Sequence, residues 1–72
     1  MFRLYKSEAD SEGLFHSREL VAVCASYVEA YGFLRGLAYG LYLQNIEHTD
    51  YGKDALTVTW SNFGHMVTVC LG

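Results

Sequence analysis

Between Ser17 and Leu34 the apolar positions Leu20, Cys24, Tyr27, Tyr31 and Leu34 recur at alternating steps of four and three, with Val23 and Val28 beside them. Arg18, Ala22, Ser26 and Glu29 fall on the opposite side of a helical wheel, so one face is apolar and the other polar. Ser17 stands where an N-cap belongs, and Glu19 puts a carboxylate in the first turn, where the helix dipole favours it. The spacing predicts a helix over 17–34, with Phe15 or His16 as a hydrophobic staple. Gly32, Gly36 and Gly40 complicate its end, because three interior glycines cost about 3 kcal/mol relative to alanine. Two readings follow. In one, favoured by that cost, the helix stops near Arg35 or Gly36 and Tyr39–Glu47 is a strand. In the other, a GxxxGxxxG ridge lets another backbone approach a long helix, although Glu29 and Arg35 argue against a membrane setting.

The remaining segments read with the period of strands. Phe2, Leu4 and Lys6 alternate with Arg3 and Tyr5, predicting a short strand over 2–6. Ser7–Gly13, SEADSEG, is polar, acidic and glycine-ended, hence a loop, and Thr49–Asp54 has turn chemistry. Ala55–Trp60 and His65–Cys70 form a hairpin. With Ser61-Asn62-Phe63-Gly64 as its loop, Trp60 faces His65, Val58 faces Val67 and Leu56 faces Val69. Thr57, Thr59, Met66, Thr68 and Cys70 then take the other face, and a one-residue slip would mix the two sets. The elements predict a single two-layer α+β domain over residues 1–72, ordered β-α-β-β-β. One main helix packs on the antiparallel sheet face bearing Leu56, Val58, Trp60, Val67 and Val69, which buries Leu20 and Tyr27 with Val58 and Trp60.

Composition changes this picture in one respect. Half of the 72 residues are hydrophobic (51%) and 15% are aromatic, with six tyrosines, which is more apolar surface than so small a globule hides easily. A homo-oligomer, or docking on a larger protein, is the expected outlet. The net charge of −3 is the wrong sign for binding phosphates, so direct nucleic-acid binding is not expected, and a basic partner surface is favoured. The first residues lack the core of a signal peptide, and the uncharged run over 36–46 is too short to span a bilayer. A soluble, cytoplasmic protein is expected. Cys24 and Cys70, without CxxC spacing, read as buried thiols.

Candidate chemistry is sparse. Glu8, Asp10, Glu12, Gly13 and Glu19 fall at positions 1, 3, 5, 6 and 12 of a calcium-loop template, whose alternating oxygen ligands, bend glycine and distal glutamate suit that ion. Glutamates fill aspartate positions, however, and too little chain precedes for an incoming helix. A solvated acidic loop is the simpler reading, and no metal or cofactor is expected. His16, His48 and His65 lack metal-ligand spacing. Cys70, His65 and Asp54 make a catalytic set only on paper, since nothing activates the thiol, and no enzyme is expected. Tyr27 and Tyr31 fit a core, but Tyr39, Tyr42 and Tyr51 cannot all be buried in one small core and suit a binding surface.

In size, acidity and lack of catalytic motifs the chain resembles the short phage-encoded inhibitors of bacterial defence, such as anti-CRISPR proteins. No residue carries that resemblance. It implies a non-enzymatic protein that blocks a larger partner stoichiometrically, with Glu8, Asp10 and Glu12 offered to a basic groove and Tyr39, Tyr42 and Tyr51 as anchors. The alternatives are an oligomer that sequesters a small molecule such as a nucleotide signal, in pockets lined by Tyr39, Tyr42, Tyr51 or Arg35 at subunit interfaces, and a small structural subunit. A ring-stacking aromatic beside a cation in one pocket is the feature that would mark the sequestering protein.

Overall fold

A computed structural model of the chain describes residues 1–10, 15–62 and 64–72. The elements are β1 (Phe2–Ala9), β2 (Phe15–Cys24), α1 (Tyr27–Leu43), β3 (His48–Asp50), α2 (Gly52–Ala55), β4 (Thr57–Asn62) and β5 (His65–Leu71). The five strands form one sheet in the order β2-β1-β5-β4-β3, antiparallel at every pairing. Helix α1 crosses from one edge strand to the other over a single face, so the fold is the expected two-layer α+β arrangement of one main helix on a small antiparallel sheet.

The expected helix over 17–34 is corrected by the structure. Residues 15–24 are strand β2, paired with β1 from Phe2↔Cys24 to Ala9↔Phe15. Leu20, Val21 and Val23 also suit a strand, and hydrogen bonding to β1 decides between the two periods. The register skips Val21 and His16, so β2 carries two bulges as an edge strand. Leu20 is consequently 50% exposed and Tyr27 41% exposed rather than both buried with Val58, which is fully buried, and Trp60, which is partly buried. The side chains of Phe15 and His16, and with them the staple, lie outside the described residues.

Helix α1 begins one cap later than expected. Ser26 is extended (φ −139°, ψ 162°), its Oγ accepts from the Glu29 N–H at 3.2 Å, and Glu29 Oε2 accepts from the Ala25 N–H at 2.9 Å. This is a variant of the S-x-x-E capping box, in which the glutamate reaches the N–H of the residue before the cap instead of that of Ser26. The helix runs through all three glycines to Leu43, which removes the strand expected over 39–47. It stops at Asn45, which takes φ 58°. The Asn45 N–H donates to the Tyr42 carbonyl at 3.1 Å and the Ile46 N–H to the Leu41 carbonyl at 3.0 Å, the two bonds of a Schellman motif. Leu41 and Ile46 both join the core, supplying the hydrophobic contact of that motif.

Ala30, Leu34, Ala38 and Leu41 form the buried stripe of α1, packed on Leu4, Cys24, Val58 and Val69 of the sheet and on Leu56 at the end of α2. Phe2 closes the end of this core by an edge-to-face contact with Tyr27, centroids 6.2 Å apart. Beyond Leu4 the covered face of β1 turns polar at Lys6 and Glu8, and the strand runs on to Ala9, so Ser7, Glu8 and Ala9 belong to β1 and not to the acidic loop expected from Ser7. Residues 11–14, including Glu12 and Gly13, lie outside the described residues.

The hairpin β4–β5 keeps the two predicted faces but not the predicted register. Asn62 pairs with His65, Trp60 with Val67, and Val58 with Val69, two residues away from expectation. A slip of two leaves every side chain on its own face, so the alternation alone does not exclude it. Leu56, which ends α2 in the left-handed region at φ 46°, is only 2% exposed, so core packing holds a conformation that side chains seldom adopt.

Candidate functional site

The side chains that the fold leaves available gather where the C-terminal half of α1 passes the edge strand β3. Arg35, Ala38, Tyr39 and Tyr42 from the helix face His48 and Asp50 from the strand around an open cleft of about 280 Å³. Tyr39 and Tyr42 are 63% and 67% exposed, and their rings stack with centroids 6.4 Å apart at an angle of 22°. Residues three apart on a helix are neighbours, so the pair is set by α1 alone.

Opposite the rings, Arg35 Nη1 donates to Asp50 Oδ2 at 3.1 Å. The other carboxylate oxygen of Asp50 accepts from the Gly52 N–H at 2.8 Å, which holds the acid against the start of α2. Asp50 is thereby fixed and fixes Arg35, whose side chain remains 61% exposed. His48 Nδ1 lies 2.9 Å from the Ile46 carbonyl oxygen. A carbonyl only accepts, so Nδ1 carries a proton and Nε2 is the acceptor of the neutral ring. The cleft thus offers two ring faces, two phenol hydroxyls, a guanidinium anchored by its own counter-ion, and an imidazole of set orientation.

Of the six residues expected to bind a partner, Tyr39 and Tyr42 come together here. Tyr51 is 54% exposed, follows β3 directly, and does not line the cleft. Glu8 belongs to β1, where its Oε1 lies 3.8 Å from Lys6 Nζ. Asp10 follows the end of that strand at Ala9, and Glu12 is outside the described residues. Sequence reasoning placed Arg35 in a pocket but gave His48 and Asp50 no binding role. The available signal is Asp50-x-Gly52, whose spacing suits a carboxylate bonded to the N–H two residues on.

The other constellations do not assemble. Glu8 and Glu19 lie on adjacent strands, with Glu19 directly opposite Lys6, instead of following one another round a calcium loop. Cys70 and His65 point to opposite faces of β5, five residues apart, which is roughly 17 Å along a strand. That separation takes apart the catalytic set drawn from them. Among the described residues no three His, Cys, Asp or Glu side chains cluster to hold a metal, and no helix is long and apolar enough to cross a membrane. The chain matches no protein-family profile, no curated protein and no solved structure.

Proposed function

We propose that the protein is a non-enzymatic binding protein that occludes the surface of a larger protein, with Tyr39 and Tyr42 as its anchors. One observation carries this reading: two stacked tyrosines stand mostly exposed beside a fixed Arg35–Asp50 pair. Tyrosine and arginine are the residues through which interfaces gain most of their energy, and a ring ordered before contact loses little entropy on binding. The net charge of −3 favours a basic partner, in keeping with the stoichiometric blocker that the profile resemblance implies. Immobilised wild-type protein is expected to retain one partner from a bacterial lysate at a constant ratio, and Tyr39→Ala/Tyr42→Ala to release it. Equal retention by both forms would remove the tyrosines from the interface.

A second reading has its own support, because rings beside a cation are the arrangement expected of a pocket for a planar, anionic small molecule such as a nucleotide. Ring faces stack on a base and Arg35 reaches a phosphate, although Asp50 already meets part of that charge. Titration with nucleoside monophosphates, followed by tyrosine fluorescence, separates the two readings. Saturable quenching lost in Arg35→Gln favours the small molecule; no response up to millimolar ligand leaves the protein partner.

A further inference from the structure

The two edges of the sheet differ. Strand β2 is interrupted by bulges, whereas β3 is regular over its three residues, His48–Asp50, and pairs on one side only, with β4. The Tyr51 N–H donates to the Thr57 carbonyl at 2.9 Å, so these two residues form a hydrogen-bonded pair at the end of the β3–β4 ladder. Bonded and non-bonded pairs alternate along an antiparallel ladder. Thr49 and Thr59 are therefore the next bonded pair, and the main-chain N–H and C=O groups of His48 and Asp50 are aimed at the outer edge. Two donors and two acceptors, at residues two apart, thus face a side along which no strand of the described residues runs.

The candidate cleft lies along this same edge. His48 and Asp50 share the sheet face of their partners Trp60 and Val58, the face that α1 covers. A second hollow of about 270 Å³ continues the cleft past His48, between Tyr42, Asn45, Ile46 and Glu47. A chain lying against β3 therefore has open main-chain groups beside it and two hollows for its side chains.

We infer that β3 takes up an extended segment of the partner protein as a further antiparallel strand, with a basic side chain opposite His48. This rests on the reading of the cleft as a protein-binding site and states how the partner is held there. Main-chain bonds attach the segment, and its alternate side chains give specificity. The residue paired with His48 turns its side chain to the α1 side, beside the exposed Tyr42 ring and the exposed Glu47. A ring face and a carboxylate both favour a cation. Asp50 already holds Arg35, which leaves the position two residues earlier in the segment to an apolar side chain against Ala38 and Tyr39. The residue between them pairs with Thr49 and points away from the helix.

The probe is the acetylated and amidated peptide Thr-Ile-Thr-Arg-Thr, titrated into the isotope-labelled full chain and followed by its backbone amide resonances. Saturable shifts are expected at His48 and Asp50. Methylating the main-chain nitrogens of the isoleucine and arginine, which face β3, should weaken binding at least about tenfold. Methylating that of the central threonine, which faces away, should change it by less than about twofold. Glutamate in place of the arginine should also weaken binding about tenfold. On the protein, His48→Pro removes the outward N–H at the first residue of an edge strand, where proline is tolerated, and His48→Ala keeps it. His48→Pro is expected to bind at least about tenfold more weakly than His48→Ala. The peptide series decides even should His48→Pro fail to fold. No saturable shift up to about 5 mM, indifference to methylation or to the glutamate, or equal binding by the two His48 variants would overturn the inference. A lysate partner lost by Tyr39→Ala/Tyr42→Ala but kept by folded His48→Pro would likewise overturn it, while the tyrosine-anchored binding protein stands. Equal retention by wild type and the tyrosine variant removes that reading instead.

Discussion

Arg35 and Asp50 join the middle of α1 to the edge strand β3 through a 3.1 Å ion pair, and the two partners are unequal. Asp50 also accepts from the Gly52 N–H and has only 16% of its side chain exposed, whereas that of Arg35 is 61% exposed. Arg35→Ala is expected to cost about 0.5 kcal/mol, as exposed pairs do. Asp50→Ala is expected to cost about 1–2 kcal/mol, because a turn bond is lost as well. Urea unfolding of both single variants and the double variant should give a coupling below about 1 kcal/mol that shrinks in 1 M salt. Equal losses for the two single variants would show that the Gly52 bond contributes nothing.

Helix α1 is expected to respond to its true cap and not to the serine that the periodicity suggested. Ser26→Ala removes the acceptor for the Glu29 N–H and should cost about 1 kcal/mol. Ser17→Ala, on the exposed edge strand, should stay within about 0.5 kcal/mol of wild type. Circular dichroism during thermal melting reads both, and a reversed order would restore the helix over 17–34.

The core prediction separates residues that the same pattern had grouped. Leu34 is 1% exposed against the sheet, and Leu34→Ala should cost roughly 2–5 kcal/mol through lost transfer energy and a cavity. Leu20, half exposed on β2, should cost less than about 1 kcal/mol on the same change. The denaturant midpoints decide, and comparable values would mean that Leu20 is covered in solution.

That contrast shows where the sequence was legible. The two faces of β4 and β5 follow from alternation, which no competing period disturbs between Thr57 and Leu71. Leu20 and Cys24 fit a helix and a strand equally, and only pairing with β1, a tertiary fact, chooses between them. The true helix start was nevertheless written locally, since Ser26-x-x-Glu29 matches a capping box and Ser17-x-Glu19 does not. Asn45, well placed for a left-handed cap, marked the stop. The glycines point the wrong way because helix propensity carries no information about tertiary packing, and the buried stripe of Ala30, Leu34, Ala38 and Leu41 outweighs their cost. At the candidate site, Tyr39 and Tyr42 stood out as surplus to one core. Their neighbours His48 and Asp50 are brought to them only by the continued helix and the Schellman turn.

The last prediction concerns Lys6, which stands between two carboxylates. Its Nζ lies 3.8 Å from Glu8 Oε1 on the same strand, and its cross-strand partner on β2 is Glu19. A metal at these acids would have to displace a cation that the sheet itself supplies. Glu8 and Glu19 are moreover fixed on neighbouring strands, where they cannot follow one another round an ion. Millimolar calcium is therefore expected to leave the melting temperature unchanged. Lys6→Gln should lower stability by about 0.5 kcal/mol at low salt, because Glu8 and Glu19, diagonal neighbours across the β1–β2 pair, then lose the cation between them. Salt should shrink that deficit by screening the repulsion. Adding Glu8→Gln should restore most of it, since Glu19 then has no like charge diagonal to it. A calcium-dependent gain in melting temperature, in wild type or in Lys6→Gln, would show that these acids close on an ion after all.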